Sequence, residues 1–319
     1  LGRGDIAISS PVRVWYWQVD ENSLHLTMNA IARFFIFSCT AFLIVGLLNV
    51  SIPQISTATE PAGTPPTSVA VTSDRYSQQV ETGLQYFRQR AKEQLSLVED
   101  LLATLKSGDL EAAKAAYVEA RPPYEEIEVF AASFEQEDSD IDARPYSFAA
   151  GEMSSDFVGF HRVERYLYRD GDLEAAIPYA EGLKDSVRSL IDKLNDPSNF
   201  NASLNFDGMV TLATEVPAKK ISSEEETWSG QSLLIYKSNW IGIYSQYKPF
   251  ASLLDKEIAN RVDAAYQNCM KTIEPFFSEN SVAATPYSQV STEQRGEIVR
   301  ASYQFRQALI EARDALGLS

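Results

Sequence analysis

Histidine and cysteine are scarce in this chain, with two of each among 319 residues. Cys39 and Cys269 cannot build a disulfide framework or a thiolate metal cage, and His25 and His161 stand too far apart for the H-E-x-x-H pair of a zinc protease. No G-x-S-x-G elbow and no Walker glycine loop is present, so nucleophilic-elbow hydrolysis and P-loop nucleotide chemistry lack their motifs. Positive charge is short as well. Lys and Arg number 28 against 44 Asp and Glu, a net charge of −16 that repels phosphate backbones, and no nucleic-acid partner is expected. Strand alternation is almost absent beyond residue 74. What remains, 45% hydrophobic and 23% charged residues, is enough for a sizeable core and excludes disorder of the whole.

One long uncharged apolar run, Phe34 to Val50, follows Arg33 and precedes the small residues Ser56, Thr57 and Ala58. This layout predicts a signal peptide over 28–58, cut near Ala58, with translation starting at Met28 and residues 1–27 an upstream or mis-started segment. An uncleaved membrane anchor over 34–50 is the alternative. Removing 1–58 takes Arg3, Arg13 and Arg33 with Asp5, Asp20 and Glu21, which leaves the charge at −16, one cysteine (Cys269) and one histidine (His161). Such an exported chain relies on its core alone, without an internal disulfide. Residues 59–73, rich in Thr, Pro, Ala and Ser, read as a flexible linker.

From residue 74 the apolar residues recur at helical spacing. Leu84, Phe87, Ala91, Leu95, Val98 and Leu102 form the stripe of a long first helix that ends at Ser107-Gly108. Asp109 can then cap the next helix, and the same Gly-Asp-Leu-Glu-Ala-Ala junction recurs at Gly171 to Ala176. Further helices are expected at about Pro123–Phe134, Ser155–Tyr168, Leu173–Leu194, Phe206–Lys219, Ser223–Tyr247, Leu253–Phe277 and Thr292–Leu316, the last opened by a capping box of Ser291 and Gln294. Asn195 to Asn199 is the clearest break. The expectation is an all-α fold of two antiparallel four-helix bundles, about 74–196 and 197–319, with a ligand cleft between them. Tyr86, Phe87, Trp228, Trp240 and Tyr244 are expected in the core.

His161 and Glu164 are three residues apart, which on a helix puts them on one face a turn apart, the reach of a two-point metal site. A surface pair or a satisfied core histidine has the same spacing. Glu125 and Glu128 share a face while Glu126 points elsewhere, and a cation between the two, or water, removes their repulsion. Asp138, Asp140, Asp142 and Arg144 are placed on the following loop, and Ile221 to Glu226 is read as a helix opening whose acids suit the helix dipole.

Taken in order, Arg121-Pro122-Pro123-Tyr124-Glu125 with Ile127-Glu128, Ile141-Asp142-Ala143-Arg144, Gly159-Phe160-His161-Arg162-Val163-Glu164 and Lys220-Ile221-Ser222-Ser223-Glu224-Glu225 resemble the imelysin (M75) family. The resemblance spans Tyr76 to Leu318 and is nearest its EfeO/EfeM-like branch of periplasmic iron-uptake proteins. It implies a bilobal imelysin-like fold and a metal site around His161 and Glu164, with Glu125, Glu128, Asp142 and Glu224 or Glu225 as further ligands. It also implies iron as the ion, with Zn2+ or Cu2+ as alternatives, and an inner-membrane iron permease and a haem-peroxidase-like protein as partners. Two departures stand out: the linker is too short for the cupredoxin domain of longer members, and Pro145-Tyr146-Ser147 replaces the acids that usually follow the Ile-Asp-x-Arg segment. A metal-binding, non-enzymatic role is expected; the alternatives are an M75-type metallopeptidase and a metal-bridged polysaccharide-binding module.

Overall fold

The computed structural model describes residues 75–223 and 225–318, so the signal, anchor, start and linker expectations, Cys39 and Glu224 lie outside the described residues. Among the described residues the fold is all-α, with one isolated antiparallel bridge between Phe277 and Ala284. No described helix is long and apolar enough to cross a membrane.

The first helix, α1 (Ser77–Ser107), buries Val80, Leu84, Phe87, Ala91, Val98, Leu101, Leu102 and Leu105, a stripe at three and four spacings. Each of the Val, Leu and Phe side chains taken from water contributes about 1.5–3 kcal/mol. Gly108 closes α1 at φ 81°, and Asp109 accepts from the amide of Ala112 to open α2 (Leu110–Ala120). Gly171 (φ 65°) and Asp172 repeat this chemistry before α6 (Leu173–Asn195). α1 packs on both α2 and α6.

Between these come α3 (Pro122–Ile127), tightening into a 3₁₀ turn over Glu128–Ser133, then α4 (Glu135–Asp142) and α5 (Gly159–Glu164). The acidic stretch expected as a loop is therefore helical up to Asp142. The helix expected from Ser155 starts four residues later, because Val158 is extended. α5 widens into a π-helical turn over Arg165–Asp170.

α7 (Ala202–Glu215) opens at Asn201, whose side chain accepts from Leu204 N, and it too ends in a π-helical turn, Val216–Lys220. α8 (Ser232–Tyr247) is buried nearly all round and packs on α3 and α7. It begins nine residues later than the Ser223 expected, so Glu225 and Glu226 sit in a turn rather than a helix opening. Gly242 lets α8 lie directly on α3: a Cβ there would stand 2.1 Å from the Glu126 carbonyl. α9 (Lys256–Ile273) pairs with α10 (Thr292–Ala315), which carries the expected Ser291–Gln294 capping box. Of the aromatic residues expected in the core, Phe87 and Trp240 are buried, while Tyr86, Trp228 and Tyr244 are half-buried.

Candidate metal centre

α5 supplies His161 and Glu164 from its first turns, and α4 ends on Asp142. His161 Nδ1 lies 3.0 Å from Glu164 Oε2, and its Nε2 lies 3.4 Å from Asp142 Oδ1 without a hydrogen bond. Glu164 Oε1 accepts from the amides of Trp228 and Ser229, each at 2.8 Å. Those two bonds fasten the 225–231 turn to α5 and so deliver Glu226. Its Oε2 accepts from Ser229 Oγ at 2.6 Å and from the Tyr117 hydroxyl at 3.0 Å. One donor atom each from His161, Glu164 and Glu226 falls within 4.8 Å of the others, and all three residues are buried. The spacing suits a single ion held by one nitrogen and two or more carboxylate oxygens.

Cations from elsewhere in the chain hold this acidity together. Arg121, fully buried over the Phe160 ring, donates to Glu226 Oε1 (2.8 Å), Glu125 Oε1 (2.5 Å) and Asp142 Oδ1 (2.8 Å). Arg144 pairs with Asp142 at 3.1 Å and with Glu225. Lys220 Nζ sits 2.7 Å from Glu128, 3.2 Å from Glu225 and 3.6 Å from Glu125. Asn239 Nδ2 donates to Glu125 and Glu128. Six carboxylates (Glu125, Glu128, Asp142, Glu164, Glu225, Glu226) thus face three permanent cations (Arg121, Arg144, Lys220). Buried charge left uncompensated is costly, so the nest favours protons or a further cation.

The protonation equilibria follow that deficit. Burial depresses the His161 imidazole, but Asp142 and Glu164 outweigh it and push its pKa up to about 8. Burial raises Glu125 to about 8 against the pull of Arg121. Burial and the neighbouring Glu164 raise Glu226. Asp142 moves the other way: burial is overcome by Arg144, Arg121 and His161, which hold it well below the usual carboxylate range. Glu164, buried too, is lowered by its bonds to His161 and the two amides.

Of the residues singled out from sequence, His161, Glu164, Asp142, Glu125, Glu128 and Glu225 join one network. Glu126 turns away to Arg90 and Tyr86, as its helical position requires. Asp138 accepts from Tyr124 and Asp140 from Gln136, and neither belongs to the donor group of His161, Glu164 and Glu226. The sequence gives no site role to Glu226, Tyr117, Arg121 or Lys220, although Arg121 and Lys220 stand inside the motifs quoted above and Glu226 closes the 221–226 stretch. The available signal was Thr227-Trp228-Ser229-Gly230, a turn sequence that ends in a glycine at φ 71° and argues against a helix through Glu226.

The family model described as Imelysin matches residues 80–316. The chain belongs to the imelysin family. Among curated proteins it is similar to the iron uptake system component EfeM of Pseudomonas syringae pv. syringae, at 28% identity over 237 residues, covering 73% of this chain and 82% of the relative. It is also similar to the iron uptake system component EfeO of Escherichia coli K12, at 29% identity over 217 residues, covering 67% of this chain. The match spans only 57% of that EfeO. The imelysin match takes in every residue of the network, from Tyr117 to Asn239.

Proposed function

We propose that this imelysin is the metal-binding component of an iron-uptake system, taking iron as its cargo at His161, Glu164 and Glu226 with Asp142 alongside. The observation that carries the reading is the buried triangle of donor atoms from His161, Glu164 and Glu226, all within 4.8 Å of one another. An imidazole buried among carboxylates that outnumber their counter-cations offers a donor set that a metal ion can take in exchange for the ring's proton. One imidazole among carboxylates suits Fe, Zn or Cu(II) and disfavours Cu(I), which prefers sulfur. The printed names of the EfeM and EfeO relatives, iron uptake system components, favour iron. In this reading the protein works in the periplasm and passes its ion to an inner-membrane permease, with a haem-peroxidase-like partner.

Peptide hydrolysis is the weaker reading. It needs room at the ion for a peptide carbonyl and a water, whereas His161, Glu164 and Glu226 are each at most 1% exposed. Calorimetric titration of the full chain with Fe(II), Fe(III), Zn(II) and Cu(II), beside His161→Ala and Glu164→Ala, tests the site. Binding abolished or weakened at least tenfold in both variants is expected. Equal binding in wild type and both variants would remove the site from consideration.

A further inference from the structure

The acidic nest has two halves, joined by Arg121 and Asp142. The first holds His161, Glu164 and Glu226. The second holds Glu125, Glu128 and Glu225, and a cation already stands in it. Lys220 Nζ is 2.9 and 2.7 Å from the two oxygens of Glu128, 3.2 Å from Glu225 Oε1 and 3.6 Å from Glu125 Oε2. The lysine arrives from the π-helical turn at the end of α7 and is itself buried, at 4% exposed.

We propose that Lys220 is a built-in counter-cation that limits the chain to one metal ion, its ammonium holding the place between Glu125, Glu128 and Glu225 that a second hard cation would take. The proposal rests on the metal-binding reading of the first half. Three carboxylates converging on one point are the donor set that oxygen-seeking divalent ions prefer. An ammonium at 2.7–3.2 Å satisfies those oxygens electrostatically, as a metal would at shorter range. The place is also within reach of solvent. Glu128 stands on the wall of a cavity of about 390 Å³ whose lining includes Glu215 and Asp207, the latter with 62% of its side chain exposed.

Lys220→Met keeps the length of the stem and removes the charge. Native mass spectrometry of the full chain, loaded with Mn(II) or Fe(II) and buffer-exchanged, counts the ions retained. One ion is expected for wild type and for Lys220→Arg, two for Lys220→Met, and one again when Glu128→Gln is added to Lys220→Met. One ion in Lys220→Met with wild-type helicity overturns the proposal. Should Lys220→Met fold poorly in chelator, Mn(II) is expected to restore its helicity more than it raises wild-type stability; failure of the ion to do so counts against the proposal. A wild type that binds no ion overturns the metal reading of the first half instead, and a Lys220→Met chain that then binds one still supports the role of Lys220.

Discussion

Gly159, on the first turn of α5, lies so close beneath Ile141 that a Cβ would stand 2.3 Å from the Ile141 carbonyl oxygen and 2.6 Å from that of Asp140. Its φ of 74° is one that other residues rarely adopt. This contact of two backbones sets the end of α4 against the start of α5, which is why Asp142 and His161 meet. Gly159→Ala is expected to lower stability by about 1–3 kcal/mol through strain and displacement, read as a shifted urea midpoint. Ion affinity should fall at least tenfold as Asp142 moves off His161. Gly182→Ala, on an exposed helical face where a Cβ meets nothing within 4 Å, is the control and should gain up to about 1 kcal/mol. Wild-type affinity in Gly159→Ala would show that the Asp142–His161 approach is dispensable.

Arg121 binds three carboxylates at once, so its loss strands more charge than one ion pair would. Arg121→Met should cost about 3–5 kcal/mol in the metal-free protein, since Glu125, Asp142 and Glu226 lose their shared partner while remaining buried. Added ion should recover part of that loss, because it supplies positive charge to the same carboxylates. Urea unfolding with chelator and with excess Zn(II) measures both quantities. A variant as stable as wild type in chelator would mean that the acids of the nest are protonated without the arginine.

Metal-free protein should be less stable at pH 8.5 than at pH 6. His161 and Glu125 both titrate near 8 in the folded chain, above their unfolded values of about 6.5 and 4.3. A raised pKa means the folded state binds the proton more tightly, so this stability is complete below the unfolded value and disappears as pH climbs through about 8. Asp142 and Glu164 are shifted downward, and their contribution is lost only in acid, below the unfolded carboxylate value. Asp138, raised by burial to about 7, and Glu226, also raised, act in the same direction, so between pH 6 and 8.5 these groups together with His161 and Glu125 set the slope, at most about 1.4 kcal/mol per pH unit for each proton. A bound ion displaces those protons and reverses the trend, with affinity rising toward pH 8. Melting temperatures across this range, with chelator and with ion, would contradict the assignment if the metal-free curve rose.

The sequence shows what has a solvent-facing side. The stripe from Leu84 to Leu102 is legible because the opposite face of α1 is polar, and the caps at Gly108-Asp109 and Ser291 because their chemistry is local. Helical spacing likewise separates Glu125 and Glu128, which face the nest, from Glu126, which faces Arg90. α8 gave no such contrast. It is buried on nearly every side, so apolar spacing alone carries its start back to Ser223 and runs helix through the turn that holds Glu226. The counter-charges were invisible for a different reason: Arg121 meets Glu226 across 105 residues, and Lys220 meets Glu128 across 92. Such pairings are fixed by packing, among them the close approach at Gly242, and carry no spacing signal.

Glu226 and Glu128 offer the sharpest contrast between the two halves of the nest. Glu226 shares the donor triangle with His161 and Glu164, whereas Glu128 is engaged by Lys220 and Asn239. Glu226→Gln keeps shape and a hydrogen-bond acceptor for Tyr117 but removes a charged ligand, and ion affinity should fall about 10–100-fold. Glu128→Gln should leave the affinity of the single ion within about threefold, since the lost charge is one that Lys220 had already neutralised. Its cost belongs to stability instead, as Lys220 loses its nearest partner. Calorimetric titration of both variants with Zn(II), at one pH and ionic strength, decides the matter: a larger loss in Glu128→Gln than in Glu226→Gln would move the ion to the other half of the nest.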